Sequence, residues 1–271
     1  MSNTTEFLDY AGSLAEWVFK DSENLMTYLD VMSKFSDYSV NNQLLVLGYN
    51  MNASMLKSVE DWQMLGASVR ENPAYVPVIV PIEETKDYDI KWMVDVADTN
   101  YPNQVFVPDR EGKLKRLEAL ISGSCDIINV IDAGNNSTRA FYKPAEGKID
   151  VLSSVKAGPD EFFNAIAREM CHMDIYTEAV AGKDETKSYH RASYMLKCSA
   201  AAYALSSKYG MDKSVGKLGS LPGRYDELQA KNAKKELSSI CSLFKGLDKR
   251  MEKLAELEKG GVIHQQERGN T

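Results

Sequence analysis

Ala165-Ile166-Ala167-Arg168-Glu169-Met170-Cys171-His172-Met173 is the stretch on which the reading of this chain turns. Phe162, Phe163, Ile166, Met170 and Met173 recur at the spacing of one face of an α-helix. Pro159 suits the first turn of that helix, and Asp160 and Glu161 favour its positive end. Residues 168 and 172 lie one turn apart on a common face, with Glu169 beside them. The register is R-E-x-x-H.

A zincin helix reads H-E-x-x-H. Its two imidazoles grip a zinc ion, and its Glu acts as general base on the bound water. Here Glu169 and His172 hold the places of base and second ligand, and Arg168 holds the place of the first. A guanidinium stays protonated and has no lone pair to give. It also sets a positive charge where the cation would sit, which at ~4 Å costs several kcal/mol even at an effective dielectric of about 20. A third ligand is missing as well. Between Glu185 and Asp212 the next helix carries no Asp or Glu, only His190, Cys198, Ser199 and the run Ala200-Ala201-Ala202. A catalytic zinc takes three protein ligands and keeps one open position. The whole chain has three His, namely His172, His190 and His264. A set improvised from Cys171, His172, His190 and Cys198 is disfavoured, because Cys171 lies about 100° around the helix from His172. The expectation is no metal, no cofactor and no enzymatic activity, with His172 as a packed histidine and Arg168 paired to a carboxylate that the sequence does not identify.

Outward from this helix the chain alternates in character. Residues 5–35 have helical periodicity broken near Asp21-Ser22, and Ser39 is placed to cap a second helix through Asn42 to Leu47. Ser58 caps a short helix that Gly66 stops, with Trp62 and Leu65 on one face. Tyr75 to Pro81 is β-rich, and its prolines predict an edge strand. Further strands are expected at 90–96, 126–131, 140–142 and 148–152, the last two around a Pro-Ala-Glu-Gly turn, with a short helix at 113–121. From Pro159 onward the pattern is helical: a long helix at about 186–209 closed by Gly210, and a charged amphipathic segment at 224–259. The fold class is α+β, with a helical and β domain over 1–110, a domain with a small mixed sheet and long C-terminal helices over 111–260, and a loose tail over 261–271.

The 271 residues include 32 Lys/Arg and 39 Asp/Glu, for a net charge of −7. Residues 1–110 hold 7 basic and 17 acidic side chains, an imbalance that argues against a broad phosphate-binding face there. It fits a chain kept in solution by its charge, or a surface that faces a basic partner. Apolar content of 44% is that of a globular chain, and no apolar run nears the roughly 20 residues that span a bilayer. The first residues have neither a basic nor an apolar signal region, so the expected compartment is the cytoplasm. Cys125, Cys171, Cys198 and Cys241 form no CxxC pair and are expected to be reduced.

Several segments, taken in order, resemble the ArdC/LtrC-like family of antirestriction proteins of conjugative plasmids and integrative elements. Ser39-Val40-Asn41-Asn42-Gln43-Leu44-Leu45 is similar to the family's S-x-x-N-x-x-L-L helix, and Ala53 with Trp62 to Gly66 to its A…W-x-x-x-G segment. Val76 to Pro81 resembles its I-x-I-x-x-P strand, and Val94-Asp95-Val96-Ala97-Asp98-Thr99 its F-D-V-S-Q-T. Ala140-Phe141-Tyr142 with Lys148 to Val151, then the degenerate helix, then Tyr203 and Tyr209-Gly210-Met211-Asp212 complete the match over roughly residues 25–250. The resemblance implies a single-strand-DNA-binding N-terminal domain joined to a zincin-like domain. It puts the vestigial catalytic positions at Arg168, Glu169, His172 and, for the third ligand, Ser199. The family's basic turn is replaced by Gly66 to Pro73 and has lost most of its charge. For strand binding the candidates are Tyr38, Asn42, Tyr49, Trp62, Arg70 and Lys91, with core packing as the competing reading of Tyr49 and Trp62. The implied function is a non-enzymatic mobile-element protein that counteracts host DNA defence by binding single-stranded DNA or a defence nuclease. The alternatives are a metal-dependent peptidase with an unorthodox site and a scaffold protein of a conjugative element.

Overall fold

A computed structural model describes residues 3–254 except 84, 86, 103–106, 123–127, 133–138, 154–157, 182–188 and 226. Cys125, His264 and the tail expected over 261–271 lie outside the described residues. The architecture is α+β. The chain divides into two compact units, residues 1–106 with 218–241, and residues 107–217 with 242–271.

The first unit opens with helices α1 (Asn3–Val18), α2 (Ser22–Lys34) and α3 (Val40–Asn50). The break between α1 and α2 falls where Asp21 leaves helical geometry and its carboxylate accepts the Asn24 N–H at 2.7 Å. Ser39 caps α3 in the same way. Gly48 lets α1 and α3 meet closely, since a Cβ there would stand 2.7 Å from both Leu14 Cδ1 and the Tyr10 hydroxyl. A three-stranded antiparallel sheet follows, in the order β1 (Leu56–Lys57), β3 (Tyr88–Asp95), β2 (Tyr75–Pro81). Between β1 and β2 sits α4 (Val59–Met64), capped by Ser58 and ended at Gly66 with φ +75°. Trp62 is fully buried with Ala67, Val94 and Val96, whereas Leu65, expected on the same face, is 47% exposed.

β2 is an edge strand, as its prolines predict. The Asn42 side chain closes that edge. Its amide donates to the Ile79 carbonyl at 2.9 Å, and its carbonyl accepts the Ile79 N–H at 2.8 Å. Ile79 therefore faces away from β3, and Pro77 and Pro81, at the same parity, face outward too. Neither proline has an N–H to leave unpaired, so the rim offers almost no template for another strand. Beneath it, buried Gln43 accepts the Tyr28 hydroxyl proton at 2.6 Å and donates to the Phe35 and Tyr38 carbonyls. Asp95 accepts the N–H groups of Ser54 and Met55, and Asp98 accepts that of Ala74. The returning segment Leu218–Cys241 completes this unit: Tyr225 stacks on Phe19 at 5.2 Å, and Glu16 accepts the Ala230 N–H.

The second unit contains α5 (Arg110–Ser122), a mixed sheet, α6 (Pro159–Ala181) and α7 (Arg191–Lys208). In the sheet, β6 (Lys148–Ser153) lies between β4 (Ile128–Asp132), parallel to it, and β5 (Arg139–Lys143), antiparallel. Apolar residues of α6 (Phe163, Ile166, Ala167, Met170) and the Ala200–Ala202 run of α7 are buried, as are Ile149 and Val151 of β6. α7 begins at Arg191 rather than near residue 186, and it ends just before Gly210 with φ +64°. Helix α8 (Ala230–Lys249) contributes its first half to the first unit and its second to the other. Among the described residues no helix is long and apolar enough to cross a membrane.

Candidate functional site

Glu169 is fully buried on α6. Its carboxylate accepts two hydrogen bonds from the Arg191 guanidinium, Nη2 to Oε1 at 2.6 Å and Nη1 to Oε2 at 2.7 Å. Arg168 Nε adds a third at 3.2 Å, and the Tyr142 backbone N–H of β5 a fourth at 2.9 Å. Burial by itself would raise this carboxyl. The Arg191 and Tyr142 hydrogen bonds and the two guanidinium charges outweigh it and hold the pKa below the ordinary 4.5. A carboxylate so engaged has no lone pair left for a water proton. The fork-to-fork geometry is the strong form of the Arg–carboxylate pair.

The carboxylate partner of Arg168 is therefore the adjacent Glu169, through one bond, and the dominant partner of that carboxylate is Arg191. Sequence reasoning missed Arg191 because it searched α7 for a third acidic ligand. The available signal was the reverse: an acid on the packed side of α6 needs a cation, and Arg191 opens the following helix. The Arg191 guanidinium also lies 5.9 Å over the Phe141 ring.

His172 is fully buried one turn further on. Its Nδ1 is 2.8 Å from the Tyr189 hydroxyl, and its Nε2 has no hydrogen-bond partner among the described residues. The Tyr189 phenol is pushed up to about 12, mainly by burial, so it keeps its proton, and the imidazole tautomer sets which group donates. Tyr189 is walled by Tyr176 and Tyr194. Next to His172, Cys198 is pulled down by the hydrogen bond with the Cys171 thiol beside it, and by His172, against its burial. Ser199 is half-buried on α7. Among the described residues no three His, Cys, Asp or Glu side chains converge as a metal site. The residues present do not fit a zincin zinc: the first ligand position is a guanidinium, the base is saturated by cations, and His172 offers one nitrogen.

The strand-binding candidates in the first unit do not form one surface. Trp62 is wholly buried, and its Nε1–H donates to the Val94 carbonyl at 2.9 Å, so the packing reading is the one its geometry supports. Asn42 is committed to the β2 edge. Arg70 pairs with Asp98 at 2.7 Å. Tyr49 is 43% exposed and meets Tyr10 edge-on and Phe7 at a tilt. Lys91 is exposed on β3. Tyr38 is half-buried at a groove of about 640 Å³, which also has Asp37, Asn41, Ile79, Pro81 and Tyr88 in its wall. Sequence reasoning named two residues of that wall, Tyr38 and Asn42, and missed the others.

No family model matches the chain, and no curated protein matches it. Among solved structures it is similar to the antirestriction ArdC protein from the R388 plasmid. Against the Mn(II)-bound form of that protein the TM-score is 0.49 at 12% identity, over 79% of this chain and 85% of that one. Against the metal-free form the TM-score is 0.43 at 15% identity, over 81% and 84%.

Proposed function

We propose that this protein is a non-enzymatic inhibitor that counteracts a DNA-directed defence by binding the cationic, nucleic-acid-handling surface of a defence nuclease. The observation that carries the non-enzymatic reading is the saturation of Glu169 by Arg191, Arg168 and the Tyr142 N–H. The position that would serve as general base is a structural anion. The defence context comes from the ordered motifs that resemble the ArdC/LtrC-like proteins.

The choice of a protein target over a DNA strand rests on charge. The first unit holds 10 Lys/Arg against 19 Asp/Glu. Strand binding draws its affinity from cations along phosphates. Here Arg70 is already paired to Asp98, and the aromatic candidate Trp62 is enclosed. An acidic surface with exposed aromatic side chains instead complements a basic protein channel.

The test is a cleavage assay with a purified restriction nuclease and unmodified DNA. Inhibition is expected to scale with nuclease rather than DNA concentration, and to be strongest when protein and nuclease are mixed before DNA is added. Inhibition titrated by DNA alone would return the function to strand binding. Stoichiometric zinc in the purified protein, lost on His172→Ala, would return it to a peptidase.

A further inference from the structure

The groove at the start of α3 combines features that specify a ligand. The Asn41 Oδ1 is buried and has no hydrogen-bond partner among the described residues. An acceptor left in that state costs about 1–3 kcal/mol and is satisfied by an incoming N–H or O–H. Asp37 contributes an exposed carboxylate. Tyr38 and Tyr88 also line the groove, and aromatic faces attract cations. Among the described residues of the wall there is no Lys or Arg, so no side-chain cation there competes for the Asp37 carboxylate. The floor along Val78, Ile79 and Pro81 is apolar. The edge of β2 is closed by Asn42, Pro77 and Pro81, so a partner peptide is excluded from adding as a strand and must enter by a side chain.

We infer that this groove receives an arginine side chain of an extended basic segment, its guanidinium shared between the Asn41 carbonyl and the Asp37 carboxylate and its plane against a tyrosine ring. A guanidinium brings several N–H donors on one flat cation, which a neutral base or an ammonium does not. The inference rests on the reading of the first unit as a surface for a cationic protein, and it names the anchor.

The experiment uses the full-length, isotope-labelled protein and the tripeptide acetyl-Leu-Arg-Leu-amide, followed by NMR chemical shifts. The neutral isostere with citrulline in place of arginine and single-stranded octadeoxyadenylate are the comparison probes. Shifts are expected at Tyr38, the Asn41 side-chain amide, Ile79 and Tyr88, with the citrulline peptide about tenfold weaker. Asp37→Asn, an exposed change that leaves the core untouched, is expected to remove that preference. Equal binding of the two peptides overturns the inference, and so does displacement of the arginine peptide by octadeoxyadenylate at the same residues, which would mark a nucleobase site. Failure here is separable from failure of the function: Asp37→Asn protein that loses the peptide but still inhibits the nuclease sinks the anchor alone, while peptide binding without nuclease inhibition sinks the target alone.

Discussion

At the scale of single residues the decisive pair is Glu169 and Arg191. The carboxylate is fully buried and the guanidinium side chain is 29% exposed. Removing the cation leaves the buried carboxylate with only Arg168 and the Tyr142 N–H, a change that costs up to about 3 kcal/mol. Arg191→Ala is expected to lower the free energy of urea unfolding by that amount, and Arg191→Lys to recover only part of it, because an ammonium makes no fork. The pair also sets a pH dependence. The folded pKa of Glu169 lies below 4.5, so its contribution is fully present above the unfolded-state value and is lost as pH falls through the folded one. Unfolding free energy measured from about pH 5 downward should therefore fall less steeply in Glu169→Gln than in the parent chain. An equally steep acid limb in the variant would show that this carboxylate does not carry the effect.

At the scale of elements, Asn42 shows how one amide serves as a strand. It takes both backbone groups of Ile79, so Asn42→Ala leaves a donor and an acceptor open on the β2 edge. A loss of about 1–3 kcal/mol is expected in thermal or urea unfolding. Pro77→Ala adds an outward N–H to the same edge, and light scattering should rise with concentration in that variant before any change in melting is seen. Much of this level was legible in the residues. The Asp21 break, the Ser39 and Ser58 caps, the Gly66 and Gly210 stops and the edge character of Tyr75–Pro81 are local events, fixed by side-chain oxygens, positive φ and missing N–H groups. The two-residue strand Leu56–Lys57 was not legible, because so short a segment has no periodicity and exists only through its pairing with β3.

At the scale of the whole molecule, the first unit is discontinuous. Tyr225, Ala233, Leu237 and Ile240 are buried members of the returning segment, and Lys234 donates to the Leu8 carbonyl at 2.9 Å. A fragment of residues 1–106 is therefore expected to be poorly folded, and addition of a peptide spanning residues 218–241 to restore its helical circular dichroism. A fully cooperative melt of the fragment alone would contradict this. The charge of the first unit makes a second prediction at this scale. Anisotropy of labelled single-stranded DNA should show weak binding with a salt slope near zero, whereas several phosphate contacts would give a steep one.

By itself the sequence determined the α+β class, the caps and stops, the acidic first half, and an R-E-x-x-H helix whose guanidinium offers no lone pair to a metal. Each of these follows from chemistry carried by one residue or by neighbours a few positions apart. Only the tertiary structure decided that Arg191 holds Glu169, that Asn42 closes the edge of β2, that Trp62 lies in the core, and that residues 218–241 belong with the first helices. Each of these joins groups far apart in the chain, where the cost of burying a polar or charged side chain is settled by what packing brings beside it.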